Sequence, residues 1–194
     1  MALKLITAPA AEPVSASEAK AHMRVDTSAD DTYIGTLITV ARQNVEAHLR
    51  RALISQTWEL VLDGFPAGMV RLPKPPLASV TSIKYTDVDG VEATFSSAKY
   101  LVDTDSEPGR VVLKTGQTWP AVTLQEASAV RVRYVAGYGA AGSAVPQAIR
   151  QAILLVIGSL YENREDVLVA QGVSIGTLPF GVEALLAPYR VRRW

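Results

Sequence analysis

The chain has 194 residues, with 19 basic and 19 acidic side chains, 48% hydrophobic residues and no cysteine. Lacking cysteine, it has no thiol nucleophile, disulfide framework, cysteine-ligated zinc or iron–sulfur cluster. A formal charge of zero, with Lys and Arg spread through the whole chain, argues against holding nucleic acid by bulk phosphate neutralisation.

The longest clear apolar run, Ala152 to Ile157, is six residues, far short of the roughly 20 that a membrane span needs. Met1-Ala2-Leu3-Lys4-Leu5-Ile6 lacks the basic and long apolar regions of a signal peptide, so none is expected. At this length about 70% of the unfolded surface can be buried, which suits one or two ordinary domains.

Pro13-Val14-Ser15-Ala16-Ser17-Glu18 offers Ser15 as an N-cap with Glu18 three residues on, a capping box that satisfies two orphan amide donors. The predicted first helix runs from there to about Val25. Asp30 and Asp31 then place negative charge where a helix dipole favours it, and Ile34, Leu37, Ile38, Ala41, Val45 and Leu49 recur at three and four residue spacing. A second helix follows from that stripe.

After Ala52 the period changes. Thr57 to Leu62 ends at Asp63-Gly64, Ser82 to Tyr85 ends at Asp87-Val88-Asp89-Gly90, and Arg110 to Leu113 follows Pro108-Gly109. Such β-rich runs between Gly, Pro and Asp turns predict an antiparallel module of about five to seven strands. In its last run Arg131 and Arg133 alternate with Val130, Val132 and Tyr134, the mark of a sheet with one wet face.

Helical spacing returns at Pro146, a residue tolerated at a first helical position because its missing N–H would have no partner there. Ile149, Ile153, Val156, Ile157, Leu160 and Tyr161 form the predicted buried stripe. The β-prone stretch Val167 to Leu178 is interrupted by Gly172 and Gly176, and a helix-like Val182 to Tyr189 and a basic tail to Trp194 complete the chain. The order helices, strands, helices predicts an α+β fold: a helical bundle of N-terminal helices plus a long C-terminal helix, with an inserted antiparallel β module. The expected division is 1–56 with 140–194 as the helical domain and 57–139 as the β module.

Gly137-Tyr138-Gly139-Ala140-Ala141-Gly142 matches the G-x-G-x-x-G pattern between a predicted strand and a predicted helix. Against a dinucleotide site, the preceding strand alternates with Arg, the helix begins only at Pro146, and no second βαβ unit follows. A strand-to-helix connector is the competing explanation. His22 with Asp26, and His48 near Asn44, are too few ligands for zinc. Asp87, Asp89 and Glu92 begin like a calcium loop but have Gly90 too early and no distal Glu, so a hairpin turn accounts for them. Asp103, Asp105 and Glu107 flank a Pro-Gly turn as solvated acids, and no G-x-S-x-G elbow occurs. The residues give no positive case for an enzyme, a metal or a cofactor.

Two segments point to surfaces instead. Val167, Leu168, Val169, Val173, Ile175 and Leu178 are too apolar for a solvated linker and are suited to adding a strand to another chain's sheet, or to an ordinary hairpin on the chain's own core. Tyr189, Arg190, Arg192, Arg193 and Trp194 are residue types enriched at interface hot spots, unless they form a frayed tail.

A set of short segments in fixed order carries a family resemblance. It runs through Pro13-Val14-Ser15 with Glu18-Ala19-Lys20, Arg24-Val25-Asp26, Asp30-Asp31 with Tyr33-Ile34, and Arg51-Ala52-Leu53-Ile54 with Gln56-Thr57-Trp58. It continues through Leu72-Pro73 with Pro75-Pro76-Leu77, Ala136-Gly137-Tyr138-Gly139, Val145-Pro146, Leu160 to Glu165 and Pro188-Tyr189-Arg190. Over nearly its full length the chain resembles the head-to-tail connector, or adaptor, proteins of tailed bacteriophages, prophages and gene transfer agent particles.

That resemblance implies a non-enzymatic virion component without cofactor, made in the bacterial host cytoplasm and placed at the head-tail interface. It implies copies of the chain in a ring, commonly a dodecamer, under the portal protein, with a stopper or tail-completion protein below. Packaged double-stranded DNA would pass through the lumen without sequence-specific binding, and no membrane is involved. By the same resemblance, residues 167–194 form the portal-docking segment and ring neighbours meet through the helices. A C-terminal segment that becomes ordered only on docking would leave the free subunit monomeric until the portal templates the ring. The other readings are a nucleotide-binding enzyme using the Gly137, Gly139 and Gly142 connector, and a small-ligand-binding β module.

Overall fold

A computed structural model describes residues 1–164 and 180–191. The fold is mixed α+β, with antiparallel sheets and four α-helices among the described residues. It divides into two compact units, Met1–Ala10 with Arg51–Ala140, and Ala11–Arg50 with Ala141–Trp194.

The first unit is built on two antiparallel sheets. Strand β1 (Ala2–Thr7) pairs with β2 (Gln56–Leu62), β2 with β8 (Val130–Ala136), β8 with β4 (Leu77–Thr86), and β4 with β5 (Glu92–Thr94). The smaller sheet runs in the order β3 (Val70–Arg71), β7 (Arg110–Leu113), β6 (Tyr100–Asp103). The register aligns Leu60 with Val132 and Val132 with Ile83, so one face of three adjacent strands is apolar. Val70 and Val111 of the second sheet join the same buried cluster, as do Phe95 and Tyr100.

Tyr134, wholly buried, donates its hydroxyl hydrogen bond to the Pro73 carbonyl at 2.9 Å. Phe65 stacks on Trp119 with centroids 4.7 Å apart, and Phe95 on Tyr100 at 5.9 Å. Aromatic pairs of this kind contribute beyond the area they bury. On the opposite face Arg131 and Arg133 are exposed, as their alternation predicts.

Residues 1–10 and 51–56, which the sequence reading groups with the helices, therefore fall in the sheet unit. The physical reason is β1. It is an edge strand with only Leu3 half-buried, so it carries no alternation to announce it, and its place comes from pairing with β2 some fifty residues away.

In the second unit, α1 (Ala16–Met23) starts with the expected capping box: the Glu18 N–H donates to Ser15 Oγ at 3.2 Å, and the Ser15 N–H to Glu18 Oε2 at 2.8 Å. The helix stops at Met23, short of Val25, because Arg24 adopts the left-handed conformation at φ 58° and the N–H groups of Arg24 and Val25 turn back to the Ala21 and Lys20 carbonyls. That geometry satisfies carbonyls a helix end leaves bare.

Helix α2 (Asp31–Leu49) buries Ile34, Leu37, Ile38, Ala41, Val45 and Leu49. Helix α3 (Gln147–Glu162) buries Ile149, Ala152, Ile153, Val156 and Ile157, while Leu160 and Tyr161 are only half-buried. Pro146 is the residue before the first turn of α3. Helices α1 and α2 pack on α3 and on each other, and α4 (Phe180–Leu186) packs on α3 through buried Val182 and Leu186. A 3-10 turn, Ala187–Tyr189, follows α4. No helix among the described residues is long and apolar enough to cross a membrane.

Candidate assembly interface

The glycine run is a close-packed connector. Gly137 has φ of 135°, and a Cβ there would lie 2.5 Å from the Ile54 carbonyl carbon; only glycine tolerates both conditions. The Gly137 and Tyr138 N–H groups donate to the Pro76 and Leu53 carbonyls, and the Ser55 N–H to the Gly139 carbonyl. In the second unit, a Cβ on Gly142 would lie 2.6 Å from the Pro13 carbonyl oxygen. A phosphate cradle needs free backbone N–H groups aimed at the ligand. Here the Gly137 and Tyr138 donors are already engaged within the chain.

Asp87, Asp103 and Glu107 are likewise occupied. Asp87 Oδ1 accepts from the Asp89 and Val91 N–H groups at 3.0 and 2.9 Å and so closes the β4–β5 turn. Asp103 accepts from the Ser106 hydroxyl and from Arg110 Nε, both at 2.7 Å, and these bonds hold its carboxyl well below the usual carboxylate range. Glu107 pairs with Arg51. His22 lies against Gly158. Among the described residues no three His, Cys, Asp or Glu side chains group as metal ligands. A cleft of about 490 Å³ between Val14, Gly35, Ile38 and Gly142 includes Glu12 and Glu18, but Glu12 is bonded to Arg42 and Glu18 to Arg150.

Of the residues the sequence proposes for docking, Val167, Leu168, Val169, Val173, Ile175, Leu178, Arg192, Arg193 and Trp194 lie outside the described residues. Tyr189 and Arg190 are described: Tyr189 ends the 3-10 turn half-buried, and Arg190 is exposed. The structure shows how the described chain on each side of residues 165–179 is held.

On the earlier side, Asp30 accepts from the Tyr161 hydroxyl at 2.6 Å and from Arg164 at 2.8 Å. The Arg164 guanidinium lies 4.9 Å from the Tyr33 ring centroid and 4.8 Å from that of Tyr161, within cation–π range. The Tyr161 hydroxyl bond, then that from Arg164, holds the Asp30 carboxyl below its ordinary value. On the later side, buried Val182 and Leu186 fix α4, and the Val191 N–H donates to the Leu49 carbonyl at 3.0 Å.

Two further ties complete the helical unit. Arg150 of α3 donates to the Pro13 carbonyl at 2.9 Å and pairs with Glu18 of α1. Arg42 of α2 bonds Glu12 at 2.7 Å and Glu46 at 3.0 Å, with the Arg42 and Glu46 side chains only 8% and 9% exposed.

The sequence reading missed a set of exposed aliphatic residues on the sheet unit. Leu5 and Ile6 stand out on β1, Leu101 and Val102 on β6, and Val88, Val91 and Val122 on loops. Adjacent aliphatic residues in a short β-prone run look like core; only the position of β1 and β6 at the ends of their sheets brings them to the surface.

A family model for the phage gp6-like head-tail connector protein matches residues 15–105. No curated protein matches the chain. Among solved structures, a chain in the neck of an empty gene transfer agent (GTA) particle, computed with C6 symmetry, is 30% identical with a TM-score of 0.81, the match covering 100% of this chain and 97% of that one. A chain of the native GTA virion is 28% identical with a TM-score of 0.81 and the same coverage. A chain in the native neck computed with C12 symmetry is 29% identical with a TM-score of 0.78, again over 100% and 97%. The family match and this likeness over the whole chain agree: the chain belongs to the phage gp6-like head-tail connector protein family.

Proposed function

We propose that this structural connector subunit works as one copy of a ring at the head-tail interface of a phage-like particle, beneath the portal and around the DNA channel. The observation that carries the reading is the likeness over the whole chain to subunits of particle necks computed with C6 and C12 symmetry. Rotational symmetry of that kind is built from heterologous contacts repeated around an axis. In this reading the helices form a bundle that is the body of the connector, and the sheet unit is the module inserted into it. The subunit works by assembly, with no catalytic step.

The portal contact is assigned to residues 167–194, through Val167 to Leu178 and Tyr189 to Trp194. Two described features support that assignment. The Asp30 clamp on Arg164 and the packing of α4 hold the chain on each side of residues 165–179, and Arg190, within the assigned segment, is exposed. A stopper or tail-completion protein would meet the other side of the ring.

Two experiments test the reading. Light scattering on the purified subunit is expected to give a monomer alone and a ring once the portal is added; stable rings without portal would reject templating. Particles made by a strain lacking the gene are expected to be tailless and to lose their DNA. Tails firmly joined to filled heads in that strain would end the connector reading.

A further inference from the structure

Strand β1 ends the five-stranded sheet and β6 ends the three-stranded one, so each leaves one side without a ladder partner among the described residues. Soluble proteins usually protect such edges with charge, proline or a bulge. Strand β1 carries Lys4 and a register shift between Leu5 and Thr7, and β6 ends on Asp103, yet each edge still exposes two consecutive aliphatic side chains: Leu5 and Ile6 are 46% and 42% exposed, and Leu101 and Val102 are 56% and 37% exposed. Successive strand residues point to opposite faces. Leu101 and Val102 therefore leave apolar surface above and below β6, and Leu5 and Ile6 leave an apolar patch at the β1 register shift, which suits strands that continue into another sheet.

The two edges differ in charge. Strand β1 carries Lys4, exposed and in no ion pair among the described residues, and no acid. Strand β6 ends on Asp103 and is followed by exposed Asp105. We propose that β1 of one copy adds antiparallel to β6 of the next copy, so that ring neighbours are joined by a backbone ladder between unlike edges. This inference rests on the ring reading above and adds a sheet contact to the helix contacts that the family resemblance implies.

Setting Leu5 opposite Val102 and Ile6 opposite Leu101 brings Lys4 opposite Asp103, with Asp105 close by. Asp103 keeps its bond to Arg110 in this arrangement. Antiparallel self-pairing that matches the aliphatic pairs sets Lys4 opposite Thr7 on β1 and Asp103 opposite Tyr100 on β6, so it lacks the opposite-charge pair that the unlike edges form. Pairing of unlike edges is heterologous, and heterologous contacts make a ring where their rotation closes.

The test uses the absence of native cysteine. Ile6→Cys and Leu101→Cys variants are assembled into particles, oxidised, and run on non-reducing gels. A mixture of the two single variants is expected to give disulfide-linked dimers, either variant alone none, and the doubly substituted chain a ladder of linked subunits. No link in particles that contain the subunit, or a link formed by one single variant with itself, overturns the pairing. Immunoblotting of wild-type particles separates the two levels: absence of the wild-type subunit overturns the ring reading, whereas its presence with unlinked variants overturns only the edge contact. Leu101→Lys, with the circular dichroism of the free subunit unchanged, is expected to lose incorporation; normal incorporation counts against the proposal.

Discussion

The sheet unit and the helical unit are held together by different means. In the sheet unit a backbone ladder fixes the strands, and its largest buried group, Tyr134, sits in one apolar cluster drawn from both sheets. Arg51 with Glu107 aside, its ion pairs lie where the ladder or a turn has already brought the partners together, as with Glu59 and Arg133 on paired strands or Asp103 and Arg110 across a turn. Among the described residues the helical unit has no ladder. Its carboxylates tie segments far apart in sequence: Glu12 to Arg42, Glu18 to Arg150, and Asp30 to Tyr161 and Arg164. A ladder specifies position by register, whereas helices that pack through aliphatic stripes can slide and rotate, so directional bonds at their ends set the arrangement.

Substitutions can break this contrast, beginning with the largest effect. Tyr134→Ala empties the centre of the sheet core and is expected to cost about 4 kcal/mol. In a Trp194→Phe background, the remaining tryptophans, Trp58 and Trp119, both belong to the sheet unit, so denaturation followed by fluorescence measures the loss there. The matching change in the helical unit, Ile153→Ala, is expected to cost about 3 kcal/mol, read from helical circular dichroism. Arg42→Met removes the buried cation that pairs with both Glu12 and Glu46 and is expected to cost about 3 kcal/mol in the same signal. A cost under about 1 kcal/mol, in the range of exposed pairs, would show that directional ties do not set the helical arrangement. Tyr134→Phe removes one hydrogen bond to Pro73 and is expected to cost about 1 kcal/mol.

Acid sharpens the contrast through a smaller effect. Hydrogen bonds from Tyr161 and Arg164 lower the Asp30 carboxyl, and the Ser15 N–H, with Arg150 also contributing, lowers Glu18. A carboxylate lowered in the folded state gives stability that is complete above its unfolded value of about 4 and is lost as pH falls through the folded value. Wild-type protein is therefore expected to lose helical stability as pH falls below about 4, and Asp30→Asn to show a shallower loss. Thermal melts at stepped pH measure both, and equal slopes would remove Asp30 from the account.

Much of this architecture is legible along the chain. The stripes of α2 and α3 appear in sequence because a helix facing a core repeats its apolar contacts every three to four residues, and the alternation of Val130 to Tyr134 predicts a strand with one wet face. The capping box at Ser15 and Glu18 is readable because both partners lie within one turn. The Asp30 clamp is not, since Asp30 and Arg164 are 134 residues apart and neither has a local pattern that names the other. The glycine run shows the opposite difficulty: a short motif suggests a nucleotide site, and only the carbonyls of Leu53 and Pro76, brought alongside by the fold, reveal that its first two amides are engaged.

The sequence by itself determined the helices α1 to α3, the run of strands between α2 and α3, their apolar faces and the absence of thiol chemistry, because these depend on composition and on periodicity over a few residues, while short segments in fixed order carry the family likeness. Tertiary structure decided that the first ten residues join the sheet, that Leu5, Ile6, Leu101 and Val102 face solvent, and that the carboxylates serve as ties. Those properties depend on which segments meet across the chain, and an edge strand differs from a central one only by what lies beside it.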